Sequence, residues 1–280
     1  MPVAFNEASL AQRTIADGIR RQQILTPERV KTTSVLVDRY TLAAEASVQF
    51  KVSAKSLAWL YMLSGEATFD NTIFEDRISE NCCVLLPPGL TATLSTSEGA
   101  SLLYTDVPDA TRLDSNFSSK PLAVLVLNWT REPVLKAEGD GRKRVALVTP
   151  AICNTAAIGI QMVIYPPGAT ASSYHHEGAE SFVYILGGHG HCWAAGQRFS
   201  LRQGDFVYFA DREPHHLEAA HDSEMRFLVF YVPGEFKTIW ADPGKVTAWT
   251  STNRDINGYR TAEDERARRG RHSGISGVRF

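Results

Sequence analysis

The chain has 280 residues, 44% hydrophobic and 21% charged, with 29 Lys and Arg against 31 Asp and Glu. A formal charge of −2 argues against a general polyanion-binding surface, so nucleic acid is not an expected partner. No uncharged apolar run approaches the ~18 residues of a membrane span, and no membrane partner is expected.

In chain order, the first stretch, from Glu7 to Arg21, mixes charges and lacks the apolar centre of a secretion signal, which predicts a cytoplasmic protein. It also carries one of two helical signals and is expected, over 1–30, as a polar N-terminal arm. Short apolar runs then follow one another between Gly, Pro, Asn and Asp. They are AWLYML at 58–63, CVLL at 83–86, LAVLVL at 122–127, GIQMVIY at 159–165, FVYIL at 182–186, FVYF at 206–209 and RFLVFYV at 226–232. β-Branched and aromatic enrichment in runs this short predicts a mostly β core. The charged tail at 262–271 carries the second helical signal, and 241–280 is expected as a C-terminal arm. Cys82, Cys83, Cys153 and Cys192 form no Cys-x-x-Cys pair and read as small buried apolar residues.

A barrel or sandwich of about 110–130 residues would fit twice into this length, so an internal repeat is expected. Tyr61-Met62-Leu63-Ser64-Gly65 lines up with Tyr184-Ile185-Leu186-Gly187-Gly188, an offset of 123 residues. The same offset carries 81–92 onto 204–215.

Histidine is the sharpest feature. Seven of the eight lie between His175 and His221, and only His272 falls outside. Imidazole is the commonest side-chain metal ligand, and a site built on sheet draws its ligands from separate strands. Two such groups are visible: Tyr174-His175-His176-Glu177-Gly178-Ala179-Glu180, and Glu213-Pro214-His215-His216.

The stretch from Gly168 to Gly188 resembles the first motif of the cupin family, and Gly204 to His215 resembles the second, with Ala210-Asp211-Arg212 in place of the usual Pro-x-Gly. The earlier half keeps Pro87-Pro88-Gly89 but has Ala92 at the histidine position. The resemblance implies an all-β bicupin: two tandem double-stranded β-helix (jelly-roll) barrels with short peripheral helices. The expected domains are an earlier barrel at 31–135 without ligands and a metal-binding barrel at 136–240.

It also implies a ligand set of His176, Glu180 and His215, completed by His175 or by Tyr174. Tyr174 is also a candidate catalytic acid. Glu180 is favoured when the motif closes at Gly187; closing at Gly188 would put Ser181 in the carboxylate position. Strand alternation allows both His175 and His176 to bind only if a bulge intervenes. By the offset, His176, Glu180 and His215 correspond to Ser53, Leu57 and Ala92. The earlier barrel is therefore expected to be structural or dimerising, with Trp59, Tyr61 and Leu63 inside.

One divalent transition metal per chain (Fe, Mn, Zn or Ni) is the implied cofactor. Two imidazoles and a carboxylate are the ligand type of non-haem iron oxygenases. The expected function is a metal-dependent enzyme acting on a small carboxylate or enolisable substrate, a dioxygenase-like oxidoreductase. The alternatives are a non-redox aminohydrolase (ureidoglycine aminohydrolase-like) or isomerase, and a non-catalytic small-ligand binder. His191 is a candidate pocket residue, and Arg198, Arg202 and Arg212 are candidates for meeting a substrate carboxylate. Edge strands in such barrels suggest a homodimer.

Overall fold

The computed structural model describes residues 2–32, 34–119 and 122–261. They form two units: Ala8–Trp129, and Met1–Glu7 together with the chain from Thr130 onward. Both are built almost wholly of antiparallel strands, with helical pieces of only three or four residues. No helix among the described residues is long and apolar enough to cross a membrane.

The segment expected as an N-terminal arm is strand. Val3–Asn6 pairs with Asp205–Phe209 in the later unit, whereas Gln12–Ala16 and Ile19–Leu25 form a hairpin that joins Leu36–Leu42 in the earlier one. Only Glu7–Ser9 makes a helical turn. A strand at a sheet edge needs no apolar stripe, so backbone pairing overrides the charge pattern that reads as a helix. Part of the expected C-terminal arm is likewise in a sheet, Trp249–Ser251 pairing with Leu135–Ala137. The charged tail at 262–271 and His272 lie outside the described residues.

In the later unit a sheet of eight strands and a sheet of five enclose an apolar interior. Strand alternation decides which residues reach it. On Glu180–Gly187 the interior receives Val183 and Ile185. Phe182 points the other way and stacks on Phe206 and Phe230 at 5.6 and 4.3 Å. The earlier unit obeys the same phase: Ala58, Leu60 and Met62 enter its interior. Trp59 and Tyr61, expected inside, are buried on the opposite face, stacked at 5.7 Å. There the Trp129 indole donates to the Tyr61 hydroxyl at 3.1 Å.

The repeat is written into the backbone. Left-handed residues recur at the offset of 123 in seven pairs: Gly18/Gly141, Lys31/Asn154, Glu45/Gly168, Gly65/Gly188, Thr72/Ala195, Asn81/Gly204 and Gly89/Arg212. One pair is required by space as well as by φ. A Cβ on Gly188 would stand 1.8 Å from the Glu224 carbonyl oxygen, and one on Gly65 would stand 2.3 Å from that of Gly99.

The interiors differ in how they are filled. Phe50 lies opposite Ala92 in the earlier unit as Tyr174 lies opposite His215 in the later. On this strand the offset is therefore 124, and Val52, rather than Ser53, matches His176. Phe50 stacks on Tyr104 at 4.7 Å and meets Tyr40 edge-on at 5.3 Å, so aromatic rings occupy the earlier barrel.

At the end of those strands Asp38 accepts from Arg21 at 2.6 Å. Burial, and then the neighbouring Asp38, push the Asp106 carboxyl up to about 6. A carboxyl whose folded pKa is raised contributes stability below its unfolded value and loses that contribution as pH rises through the folded one. Asp106→Asn is therefore expected to raise Tm at pH 8 by roughly 2–4 °C, the effect of about 1 kcal/mol in a chain of this size, and to leave Tm at pH 4 unchanged. Thermal melts at the two pH values check this.

Candidate functional site

The strand Tyr174–Glu177 runs without a bulge between Lys237–Trp240 on one side and His215–Ala219 on the other. Its alternation turns Tyr174 and His176 into the later barrel and His175 and Glu177 out of it. His176 is buried, its ring 5.5 Å from the equally buried ring of His215. Thr238 Oγ1 lies 3.3 Å from His176 Nδ1. His215 lies flat on Phe209 at 3.8 Å, and its Nδ1 is 2.8 Å from the Glu213 carbonyl oxygen. The Tyr174 ring is 5.2 Å from His176 and 4.7 Å from His215. Three of the five expected site residues thus share one place.

The other two do not. His175 sits across the strand from Ile239, its Nε2 3.7 Å from Glu177 Oε1. Glu180 is on the Phe182 side of its strand, where its carboxylate accepts a 2.6 Å bond from the Tyr208 hydroxyl. Ser181, buried and paired with Phe209 and Tyr231, takes the inward position that the alternative motif register, closing at Gly188, assigns to it. Among the described residues no group of three His, Cys, Asp or Glu is placed to hold a metal ion. The chain itself brings two imidazoles and a phenol to the centre.

Electrostatics sets the state of these groups. Burial first, then the neighbouring His215 and His175, hold His176 well below the ordinary imidazole range. Burial likewise pushes His215 down to about 4. Burial raises the Tyr174 phenol well above its usual value, so it stays protonated. The site therefore presents two neutral imidazoles beside a hydroxyl donor.

A cavity of about 60 Å³ adjoins them, lined by Tyr174, His176, Thr238, Trp240, Gln161, Tyr231, Arg142, Arg144 and Trp249 among others. This exceeds the ~10–15 Å³ that holds one water, and suits a ligand of a few heavy atoms. Arg142 is committed to structure, donating to Asp140 at 2.7 Å, Tyr165 at 3.2 Å and Thr247 at 2.8 Å. The Arg144 guanidinium lies 4.4 Å from the Trp249 ring, and burial pushes its pKa down to about 10, still charged at neutral pH.

Neither arginine stands out in the sequence. The signal was a basic pair, Lys143-Arg144, opening an apolar strand. The arginines that were singled out lie elsewhere: Arg212 is 3.5 Å from Glu177, Arg198 lies 5.6 Å from the Trp193 ring, and Arg202 is exposed. His191 points out of the barrel, because its neighbours Cys192 and Ala194 pack into the core at alternate positions.

The cupin domain family matches residues 161–231. No curated protein matches the chain. Among solved structures, a deletion mutant of Bacillus subtilis oxalate decarboxylase and a form of that enzyme described for its Mn(II) centres are each 15% identical to this chain, with TM-score 0.65. A third structure, described for substrate binding and a reaction-specificity switch in oxalate decarboxylase, is 16% identical with TM-score 0.66. In all three the match covers 85% of this chain and 79% of the other. The later unit thus carries a cupin domain, and the likeness of the chain to these solved structures is one of fold.

The depressed histidine fixes a pH dependence. A base whose folded pKa is lowered contributes stability above its unfolded value and loses that contribution as pH falls toward the folded one. In metal-free protein, NMR titration is expected to show His215 neutral down to about pH 5, with stability falling as pH drops from about 6.5 toward 4. A midpoint for His215 near 6.5 contradicts the burial argument.

Proposed function

We propose that the later barrel is an enzyme site for a small organic carboxylate, with a divalent metal ion as the cofactor its two imidazoles would hold. The observation that carries this reading is the presence of Arg144 and His176 in the lining of one small cavity. The internal repeat sharpens it. Arg21 and Asp38, 2.6 Å apart in the earlier unit, correspond by the offset of 123 to Arg144 and Gln161. Where the earlier barrel supplies its arginine with a carboxylate of its own, the later one puts an amide. A bound carboxylate would meet the Arg144 guanidinium through a charge-assisted contact of its own.

His176 and His215 are neutral nitrogen donors of the right type, but two are fewer than the three protein ligands of most catalytic sites. Water and the substrate carboxylate would complete the shell. When bound, such an ion polarises the substrate oxygen that it meets. The chain's own groups do the rest. Arg144 orients the carboxylate, the protonated Tyr174 hydroxyl donates to an oxygen of the reacting carbon, and Tyr231, Trp240 and Trp249 limit water. The Mn(II) centres and the oxalate chemistry of the similar structures support a metal and a small acid.

The reaction we infer is metal-assisted cleavage or rearrangement beside the carboxylate. Dioxygenase-like oxidation is its redox form. The grouping of two histidines and a carboxylate that favoured oxidation lacks its carboxylate in the barrel, so dioxygen uptake decides between the two. A second reading, a metal-free receptor for the same acid, is favoured by Ser181 standing inward in place of a carboxylate ligand.

The test uses oxalate as probe, with metal content measured after purification without chelator or metal affinity resin. Wild type is expected to bind oxalate, and Arg144→Gln to weaken it at least about tenfold, the loss of one charge-assisted contact. Joint replacement of His176 and His215 is expected to remove bound metal, and Glu180→Gln to leave both metal and oxalate binding within about twofold. Equal oxalate affinity in wild type and Arg144→Gln would overturn the proposal. Metal-free wild type that still binds oxalate selects the receptor.

A further inference from the structure

The earlier unit carries two features that the proposed function does not use. The first is the tip of the long hairpin made by Leu57–Asp70 and Glu75–Ser79. Ile73 at its apex is 85% exposed and Phe74 is 38% exposed, an unusual place for two large apolar side chains. The turn is firmly held. The Asn71 side-chain oxygen accepts from the backbone N–H groups of Ile73 and Phe74 at 3.1 and 3.0 Å, and Asp70 accepts from that of Thr72 at 2.8 Å. In the later unit the matching turn is Ala195-Gly196-Gln197, which presents nothing apolar of that size. Three acids, Asp70, Glu75 and Asp76, flank the apolar apex, and all are exposed.

The second feature is a groove of about 430 Å³ on the hairpin Gln12–Ala16 and Ile19–Leu25, lined by Leu10, Ala11 and Ile15 with Arg13, Arg21 and Arg29. Ile15 is 50% exposed, and every residue of Gln12–Ala16 is exposed. Arg29 is fixed by donating to the carbonyl oxygens of Gln23 and Ile24, and Arg21 is fixed by Asp38. The groove is thus lined by three apolar side chains and three guanidinium groups, two of the latter held in place.

We propose that the acidic, apolar-tipped hairpin of one chain docks in the arginine-lined groove of a second copy. The complementarity is twofold: Ile73 and Phe74 match the apolar side chains of Leu10, Ala11 and Ile15, and the acids of the hairpin meet Arg13 and Arg29, Arg21 being already balanced by Asp38. Apolar burial supplies the affinity, and the opposed charges fix the register and speed encounter. A turn held by the side chains of Asp70 and Asn71 arrives in its binding conformation and loses little entropy on docking. Because each copy owns both parts, two such contacts close a two-fold dimer.

Sedimentation of the full chain tests the proposal. Wild type is expected to dimerise, more weakly as salt is raised. Ile73→Asp and Arg13→Glu, both at exposed positions, are expected to raise the dimer Kd at least about tenfold while leaving circular dichroism unchanged. Combining Arg13→Glu with Glu75→Arg is expected to restore much of the association. A monomer at every concentration, a Kd unmoved by Ile73→Asp, or no recovery in the double reversal would overturn it.

Discussion

A β-strand shows its side chains to two faces in strict alternation, and a one-residue change of phase exchanges everything that a barrel encloses with everything that it excludes. This constraint governs the later unit from end to end. On Glu180–Gly187 it sends Ser181, Val183 and Ile185 inward and leaves Glu180 with Tyr208 on the other face. On Tyr174–Glu177 it sends Tyr174 and His176 inward and His175 outward. The composition of the site follows from these phases and from the strand that brings His215 opposite Tyr174.

The same framework, written twice, produces one barrel packed with aromatic rings and one with a cavity beside two imidazoles. Seven left-handed backbone positions repeat at a constant spacing, so the turns that shape the sheets are common to both units. The side chains hung on them are not. Phe50, Tyr40 and Tyr104 pack ring against ring in the earlier interior, where the later one has Tyr174, two imidazoles and space. Arginine is retained at the matching strand position as Arg21 and Arg144, while Asp38 is replaced by Gln161 across the repeat.

Much of this was legible in the sequence, and what was not has a common cause. Apolar runs and turn residues marked the strands, and the offset of 123 marked the duplication. The histidine cluster marked the site. Period was visible; phase was not. Trp59 and Tyr61 were expected inside and lie on the opposite face by one step, and Glu180 was preferred over Ser181 by the same single step. The glycine that closes the motif, Gly188, held the answer, because only at Gly188 does the backbone turn left-handed against the Glu224 carbonyl. The N-terminal strands were missed for another reason. Val3–Asn6 and Gln12–Ala16 are sheet edges without apolar alternation, and the inner strand Ile19–Leu25 breaks its alternation with the buried Gln22; their partners lie in Asp205–Phe209 and Leu36–Leu42, which local pattern does not record.

The most direct test of the central claim is a crystal structure of the protein grown with oxalate and manganese(II). An oxalate carboxylate is expected against the Arg144 guanidinium, with His176 and His215 on its far side and Glu180 still bonded to Tyr208. Oxalate bound away from Arg144, or a Glu180 side chain turned into the barrel to share a metal with the two imidazoles, would contradict it.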